Sequence, residues 1–289
     1  MSRDARGTIF LEEARVLSQL AYDGEQFVLR LAAPRCAAQA APGSFAHVSC
    51  DASIPMRRPL SIMRASAQGG WIELLYKVVG PGLQALAAHK AGDRLSVLGP
   101  IGQPFRVHRE RPRPLLLGGG VGIPPMVFLA ERLKEDPAYR ALVLMGSEIP
   151  FPFRARPSTL IVPGMPAGTI ATMPLLEEWN VACRLASRSD FPGCFPGFVT
   201  ELAAAWLATL PRESLDEVEI FACGPTAMLA ACAQLARRFG LPCQVSLEEF
   251  MACAVGGCAG CAVEVRTPAG RAMKRVCVDG PVFDAYSVF

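Results

Sequence analysis

Cys253 and Cys258 are separated by four residues, Cys258 and Cys261 by two, and Cys277 follows after a further fifteen. Thiolates at such intervals are a donor set for iron or zinc. The first three match the C-x4-C-x2-C run with which a short loop wraps one side of a two-iron, two-sulfide cluster, a distant fourth cysteine closing it. Ala254, Val255, Gly256, Gly257, Ala259 and Gly260 stand between them, almost all small, so the backbone can bend tightly and turn its N–H groups toward cluster sulfurs. The competing reading is a structural zinc site, which usually takes two close pairs of Cys or His, whereas only Cys258 and Cys261 form such a pair here. Unliganded core cysteines are the third alternative.

Other stretches carry phosphate chemistry. In Arg57-Arg58-Pro59-Leu60-Ser61-Ile62 a forked cation, a rigid φ and a hydroxyl share one short segment, which suits a diphosphate. An edge strand with a solvated arginine pair explains the same residues. Lys77 to Leu83 follows a strand and opens a short helix, and its glycines would let a phosphate approach backbone N–H groups; a tight turn does equally well. Pro114-Leu115-Leu116-Leu117 reads as a buried parallel strand, followed by Gly118, Gly119, Gly120, Val121 and Gly122 and a helix from about Pro124. Strand, glycine turn and helix start in that order make a dinucleotide-binding crossover. Cys223-Gly224-Pro225 lies at the carboxyl end of a later strand, where open parallel sheets bind ligands, although Cys223 alone reads as a small buried hydrophobe. Ser187-Arg188-Ser189-Asp190 also follows a strand end: Asp190 would favour a free ribose 2′-hydroxyl and Arg188 a 2′-phosphate, so the choice between NADH and NADPH stays open.

The elements that must position these residues follow from pattern and length. A chain of 289 residues holds about two globular units plus a small appendage. A hydrophobic content of 51% with 19% charge excludes disorder, and a dispersed net charge of +3 argues against a nucleic-acid partner. Met1 to Gly7 lacks an apolar signal core, so the eleven cysteines point to a reducing cytoplasm rather than to disulfides. The longest apolar stretch, Leu115 to Ala130, is broken by glycines and prolines, and membrane insertion is not expected. From Thr8 the pattern is of short alternating runs (Phe27 to Leu31, Phe45 to Val48, Trp71 to Tyr76, Leu95 to Leu98), which predicts an antiparallel barrel; Leu83 to His89 is helical and residues 35–43 are a loop. From Pro114 the pattern is βα alternation: strands over Ala141 to Gly146, Leu160 to Val162, Ala182 to Ala186 and Glu217 to Cys223, and helices over Phe198 to Leu207 and Met228 to Phe239. Val263 to Val265 and Met273 to Val278 form a hairpin around Pro268-Ala269-Gly270, on which Cys277 rides. The expected fold is α+β multidomain, with an antiparallel barrel over 8–110, a Rossmann-like α/β nucleotide-binding domain over 111–243 and a small β cap holding an iron–sulfur cluster over 244–289.

Taken in order, these motifs give a chain that resembles the electron-transfer subunits of class 1B dihydroorotate dehydrogenase, within the ferredoxin-reductase superfamily, over nearly its whole length. Pro42 to Phe45 looks like that family's early turn. Arg58, Pro59, Leu60 and Ser61 look like its FAD diphosphate segment, and Leu75, Tyr76, Lys77, Gly82 and Leu83 occupy its other FAD positions. Gly118 to Pro125 resembles its nicotinamide-nucleotide turn, and Cys223, Gly224 and Pro225 the segment beside the nicotinamide. Cys253, Cys258, Cys261 and Cys277 fall on its four cluster ligands, and Arg275 to Phe283 is the most specific match. Leu83 stands where the family usually has Thr, Phe250 and Ala254 replace a common Arg and Gly, and Arg188 stands where relatives often carry an acid.

The resemblance implies an electron relay with FAD, a 2Fe–2S cluster and NAD(P), no catalytic acid or base on this chain, and a heterotetramer with an FMN-containing subunit that oxidises dihydroorotate in pyrimidine (UMP) biosynthesis. The small subunit of an NADPH:ferredoxin oxidoreductase or sulfide dehydrogenase has similar machinery, but carries an Asp among its cluster ligands. A non-catalytic, zinc-stabilised binding module is the alternative from another class.

Overall fold

A computed structural model describes residues 7–289, so most of the Met1 to Gly7 stretch lies outside the described residues. By contact the chain falls into two compact units, one running up to Pro104 and joined by Glu248–Val282, the other made of Phe105–Leu247 and Phe283–Phe289.

The first unit is built on strands β1 (Phe10–Tyr22), β2 (Gln26–Ala32), β3 (Phe45–Val48), β4 (Arg58–Ser66), β5 (Trp71–Lys77) and β6 (Arg94–Ile101), which close a barrel in the order β1-β2-β5-β4-β3-β6. Every pairing in it is antiparallel, with tight hairpins joining β1 to β2 and β4 to β5. Alternation sends Ala14, Val16, Leu29, Leu31, Ile72, Leu74 and Val97 inside, all at most 1% exposed. Each large aliphatic side chain so buried stabilises the unit by roughly 1.5–3 kcal/mol relative to solvent. Helix α1 (Pro34–Gln39) occupies most of the stretch predicted as a loop: Pro34 sits at the helix start, and the amides of Arg35 and Cys36 donate to the Glu12 carboxylate at 3.0 and 2.8 Å. A carboxylate there satisfies orphan donors and the helix dipole together. Helix α2 (Gly80–Ala87) is held at its far end by Gln19, whose Nε2 donates to the carbonyls of Leu86, Ala87 and His89.

The second unit carries a seven-stranded sheet. Its strands are β7 (Arg113–Gly119), β8 (Leu142–Gly146), β11 (Ala182–Ser187), β12 (Phe195–Pro196), β13 (Val218–Cys223), β14 (Cys243–Ser246) and β17 (Val282–Asp284), in the order β12-β11-β8-β7-β13-β14-β17. β9 (Arg156–Pro157) and β10 (Ala171–Thr172) form a separate two-stranded ladder. The pairings from β12 to β14 are parallel, and the central strands are buried on both faces, as continuous apolar runs require. Helices α3 (Ile123–Leu133), α4 (Pro174–Glu178), α5 (Val199–Leu207), α6 (Arg212–Leu215) and α7 (Thr226–Phe239) supply the crossovers, and α8 (Ala285–Val288) follows β17. The chain runs outward from β7 through β8 and β11 to β12, then returns to β13 on the other side of β7, so the topological switch point lies between β7 and β13.

The structure differs from expectation in places. Leu160 to Val162 is not a strand: Ile161 is 89% exposed, and the Leu160 carbonyl accepts from Arg184. Residues 244–246 belong to β14, and the last residues of the chain, from Phe283, group with the sheet. The hairpin is β15 (Ala262–Thr267) and β16 (Gly270–Arg275), so Cys277 sits in the turn just after it. Among the described residues, no helix is long and apolar enough to cross a membrane.

Candidate functional site

The cysteine loop runs from buried Met251 to the start of β15 with no regular structure, bent by left-handed backbone at Ala254 (φ 56°), Gly256 (φ 81°) and Ala259 (φ 55°). Two alanines in that region cost about 1 kcal/mol each or more, strain that marks a loop shaped for something other than its own stability. The bend turns amides onto sulfur: Cys258 N–H donates to Cys253 Sγ and Gly260 N–H to Cys258 Sγ, both at 3.4 Å. Burial works against ionisation of Cys253, but the N–H groups of Val255, Cys258 and Gly257 outweigh it and bring the thiol down to about 6. On the other side, Val276 N–H donates to the Cys261 carbonyl at 3.0 Å, which sets Cys277 beside Cys261 with 3.3 Å between sulfurs. Burial, then the neighbouring thiol, pushes Cys277 up to about 12. Without a metal the pair is held as thiols, one sulfur donating to the other; both could ionise together only against a bound cation.

The donor set fits a two-iron cluster. Four cysteines on one loop and hairpin end, with amides turned onto Cys253 and Cys258 and the Cys261 and Cys277 sulfurs side by side, are the donors such a cluster takes; among the described residues no three His, Cys, Asp or Glu side chains are gathered about a single point. Away from the loop, burial pushes Cys36 and Cys232 up to about 12, Cys183 and Cys194 to about 11, and Cys243 well above its ordinary value, so these five stay protonated, and none of them stands beside a second cysteine of the loop. Arg275 opens the segment that the sequence singles out, but what its side chain holds is seen only in the structure. Arg275 Nη1 donates to the Gly256 carbonyl at 2.9 Å while its own amide donates to Asp279 at 2.8 Å, clasping the loop to the hairpin end.

On the barrel, adjacent arginines do different work. Arg57 is spent on β6, donating to the Ser96 carbonyl at 2.7 Å and to its Oγ at 3.0 Å. Arg58 keeps its Nη1 on the Met56 carbonyl at 2.7 Å, and its other edge lies against the start of α2, where a Cβ on Gly82 would come within 2.5 Å of Nη2. The bare glycine beside a half-exposed fork is a cradle of the kind a diphosphate needs. Pro59, Leu60 and Ser61 continue β4 opposite His47, Ala46 and Phe45. Leu75 and Tyr76 are buried; the Tyr76 hydroxyl donates to Gln19 at 3.1 Å and its ring stacks on Phe27, so its side chain anchors α2 instead of facing a ligand. Lys77 and Leu83 are half-buried at the two ends of that connection.

His47 escaped sequence reading. Its neighbour Val48 pairs with Val97 inside the barrel, so His47 points to the outer face, yet it is 1% exposed and neither ring nitrogen has a hydrogen-bond partner among the described residues. The Met251 and Arg57 backbones lie against the ring.

In the second unit, β7 ends at Gly119, a 3-10 turn covers Gly120–Gly122, and α3 begins at Ile123. A Cβ on Gly122 would collide with the Cys223 carbonyl, so only glycine lets these two backbones approach at the carboxyl ends of β7 and β13, whereas one on Gly119 would meet the Met228 sulfur, the end of a side chain that can swing aside. Gly118, Cys223 and Gly224 are buried, and Pro225 is exposed at the cap of α7. Asp190 is exposed; Arg188, two residues before it, pairs with Glu148 at 3.0 Å.

Fold and site together define an electron-transfer component of a ferredoxin-reductase-like oxidoreductase. Residues 248–289 match the family described as the iron-sulfur cluster binding domain of dihydroorotate dehydrogenase B. The chain is 34% identical over 248 residues, 86% of each chain, to the dihydroorotate dehydrogenase B (NAD(+)) electron transfer subunit of Caldanaerobacter subterraneus subsp. tengcongensis. It is 31% identical over 281 residues to that of Desulforamulus reducens, covering 96% of this chain and 97% of the relative. Among solved structures, that of an NADH-dependent reduced ferredoxin-NADP oxidoreductase, described for flavin-based electron bifurcation, superposes with a TM-score of 0.76 at 26% identity, covering 96% of this chain and 90% of that one. The chain belongs to the family of dihydroorotate dehydrogenase B (NAD(+)) electron transfer subunits.

Proposed function

We propose that this chain passes electrons between NAD(P) and an FMN-containing catalytic subunit that oxidises dihydroorotate, within a cytoplasmic heterotetramer. The observation that carries the reading is the set of four cysteines, with the Cys258 amide on the Cys253 sulfur and the Cys261 and Cys277 sulfurs side by side, in a segment that shares one compact unit with the barrel bearing Arg58 and Gly82. When bound, FAD and a 2Fe–2S cluster supply the exchange between a two-electron hydride and single electrons.

The protein's own residues hold and orient. Arg58 grips the FAD diphosphate with the edge of its guanidinium beside Gly82, and the amide groups at the start of α2 complete the anion site. Pro59, Leu60, Ser61, Leu75, Tyr76, Lys77 and Leu83 shape the flavin seat, several through backbone alone. Gly118, Gly119, Gly120 and Gly122 admit the nucleotide pyrophosphate, and Cys223, Gly224 and Pro225 border the nicotinamide end. The four cysteines hold the cluster. Phe250 and Val255 flank them at 93% and 50% exposure, an apolar rim suited to a docked partner.

Reconstitution with a dihydroorotate-oxidising subunit tests this directly. Dihydroorotate-dependent reduction of NAD+ is expected, and Phe250→Asp or Val255→Asp should uncouple it while leaving NADH-driven dye reduction intact. Coupling to ferredoxin instead of to dihydroorotate would transfer the chain to the role of its structural neighbour; undiminished coupling in both variants would move the docking surface elsewhere.

A further inference from the structure

The loops that follow β8 and β11 carry a cluster for which the proposed function has not accounted. Arg188 Nε and Nη2 both reach one oxygen, Oε1 of Glu148, at 3.0 Å, and the guanidinium lies 4.9 Å from the centroid of the Phe198 ring. The backbone beneath is latched: Ser187 Oγ donates to the Ser147 carbonyl at 2.6 Å, the Ser189 amide donates to Ser187 Oγ at 3.0 Å, and Ser189 Oγ donates to the Glu148 carbonyl at 3.0 Å. The ion pair above it is open, with side-chain exposures of 60% for Arg188 and 64% for Glu148, so it is weakly held and readily exchanged. The base of Arg188 is therefore fixed while its counter-ion is free to swing aside.

Topology brings these residues to a nucleotide. A pyrophosphate on the glycine turn of β7, with its nicotinamide toward β13, sends the adenosine the other way, over the carboxyl ends of β8 and β11. There an acid accepts from a ribose 2′-hydroxyl and an arginine takes a 2′-phosphate. In the same two loops Phe151, Phe153 and Phe191 form an aromatic group, with ring centroids 5.3 Å apart for Phe151 and Phe153 and 6.2 Å for Phe151 and Phe191, an apolar surface for a purine. A phosphate monoester carries more negative charge than the carboxylate it would displace and accepts from the same guanidinium edge.

We propose that Arg188 and Glu148 form a 2′-phosphate site in which Arg188 anchors the phosphate and Glu148 is the internal counter-ion it displaces, so that this chain accepts NADPH as well as NADH. With NADH bound, the Glu148 carboxylate stays in place and accepts from the 2′-hydroxyl. The inference rests on the nucleotide crevice proposed above.

Calorimetric titration with adenosine 2′,5′-bisphosphate and with 5′-AMP tests it without reference to turnover, and NADPH- and NADH-driven dye reduction tests it in the holoprotein. The bisphosphate should bind more tightly than 5′-AMP, and Arg188→Leu should weaken it about tenfold or more while leaving 5′-AMP within about twofold. Arg188→Lys, which keeps the charge but not the fork, should fall between. Glu148→Gln should raise kcat/KM for NADPH relative to NADH, chiefly through KM. Equal binding of the two probes by the unaltered protein, or equal weakening of both by Arg188→Leu, would overturn the proposal. Binding of 5′-AMP and NADH without discrimination at Arg188 leaves the crevice standing and removes only the phosphate site; binding of neither nucleotide would overturn both.

Discussion

The sulfur of Cys261 lies 3.3 Å from that of Cys277, sixteen positions further along the chain, and the Val276 amide holds the two in place. Cys277→Ser should therefore cost the protein its iron and the visible bands of its cluster, and lower the thermal midpoint of the unit that contains it, because metal binding and folding are linked. Cys243→Ser, at a buried thiol kept protonated, should leave iron content unchanged. Iron analysis and visible absorption of both variants decide the matter, and loss of iron only in the Cys243 variant would refute the ligand assignment.

Arg57 and Arg58 should separate in mutation as they do in structure. Arg58→Ala should release flavin, since each charge-assisted hydrogen bond to the diphosphate is worth about 1.5–3 kcal/mol, or at least tenfold in affinity. Arg57→Ala removes the two bonds to Ser96 on β6 and should lower stability while retaining flavin. Flavin content after gel filtration, alongside a thermal melt, distinguishes the two effects.

Gly122→Ala should close the nucleotide crevice from within. Its methyl group would meet the Cys223 carbonyl, and backbone cannot retreat as a flexible side chain can. NADH binding should fall by about tenfold or more with iron and flavin contents unchanged; unimpaired titration by NADH would show that the nucleotide binds elsewhere.

His47 should make the protein acid-sensitive in a defined window. Burial first, and the Arg57 charge second, lower its folded-state affinity for a proton. Above about pH 6.5 the imidazole is neutral in both states and contributes no pH dependence; as the pH falls below that, the unfolded chain takes up the proton first, and stability is lost until the folded imidazole also titrates. For one proton the slope is at most about 1.4 kcal/mol per pH unit. His47→Leu should keep the neutral-pH thermal midpoint nearly unchanged, because no hydrogen bond is broken, and flatten the acid limb. An unchanged acid limb would place the sensitivity in another group.

The cluster ligands and the glycine crevice are legible in the sequence because their chemistry depends on short spacings: three of the four cysteines and all the glycines of the β7 turn lie within single loops. Alternation likewise reveals the barrel strands, and continuous apolar runs reveal the parallel sheet. What sequence hides is long-range satisfaction. The loop expected over residues 35–43 becomes helical from Pro34 because Glu12, on β1, caps it, and the Arg188–Glu148 pair joins residues forty positions apart. Leu160 to Val162 misled through composition, for Ile161 is an apolar residue left in solvent. Asp190 is the ribose acid expected from sequence because it follows the end of β11; that Glu148, on the neighbouring loop, pairs with Arg188 is visible only in space.

The unit that holds the barrel is completed by residues 248–282, which leave the ribosome only after residues 105–247 of the sheet unit. During synthesis the barrel strands can pair as soon as Ile101 emerges, but the outer face around His47 then lacks Met251, and the clasp of Arg275 on Gly256 does not yet exist. Chain order thus delays cluster assembly until translation is nearly finished: a nascent chain arrested before residue 248 has the barrel strands but none of the four loop cysteines.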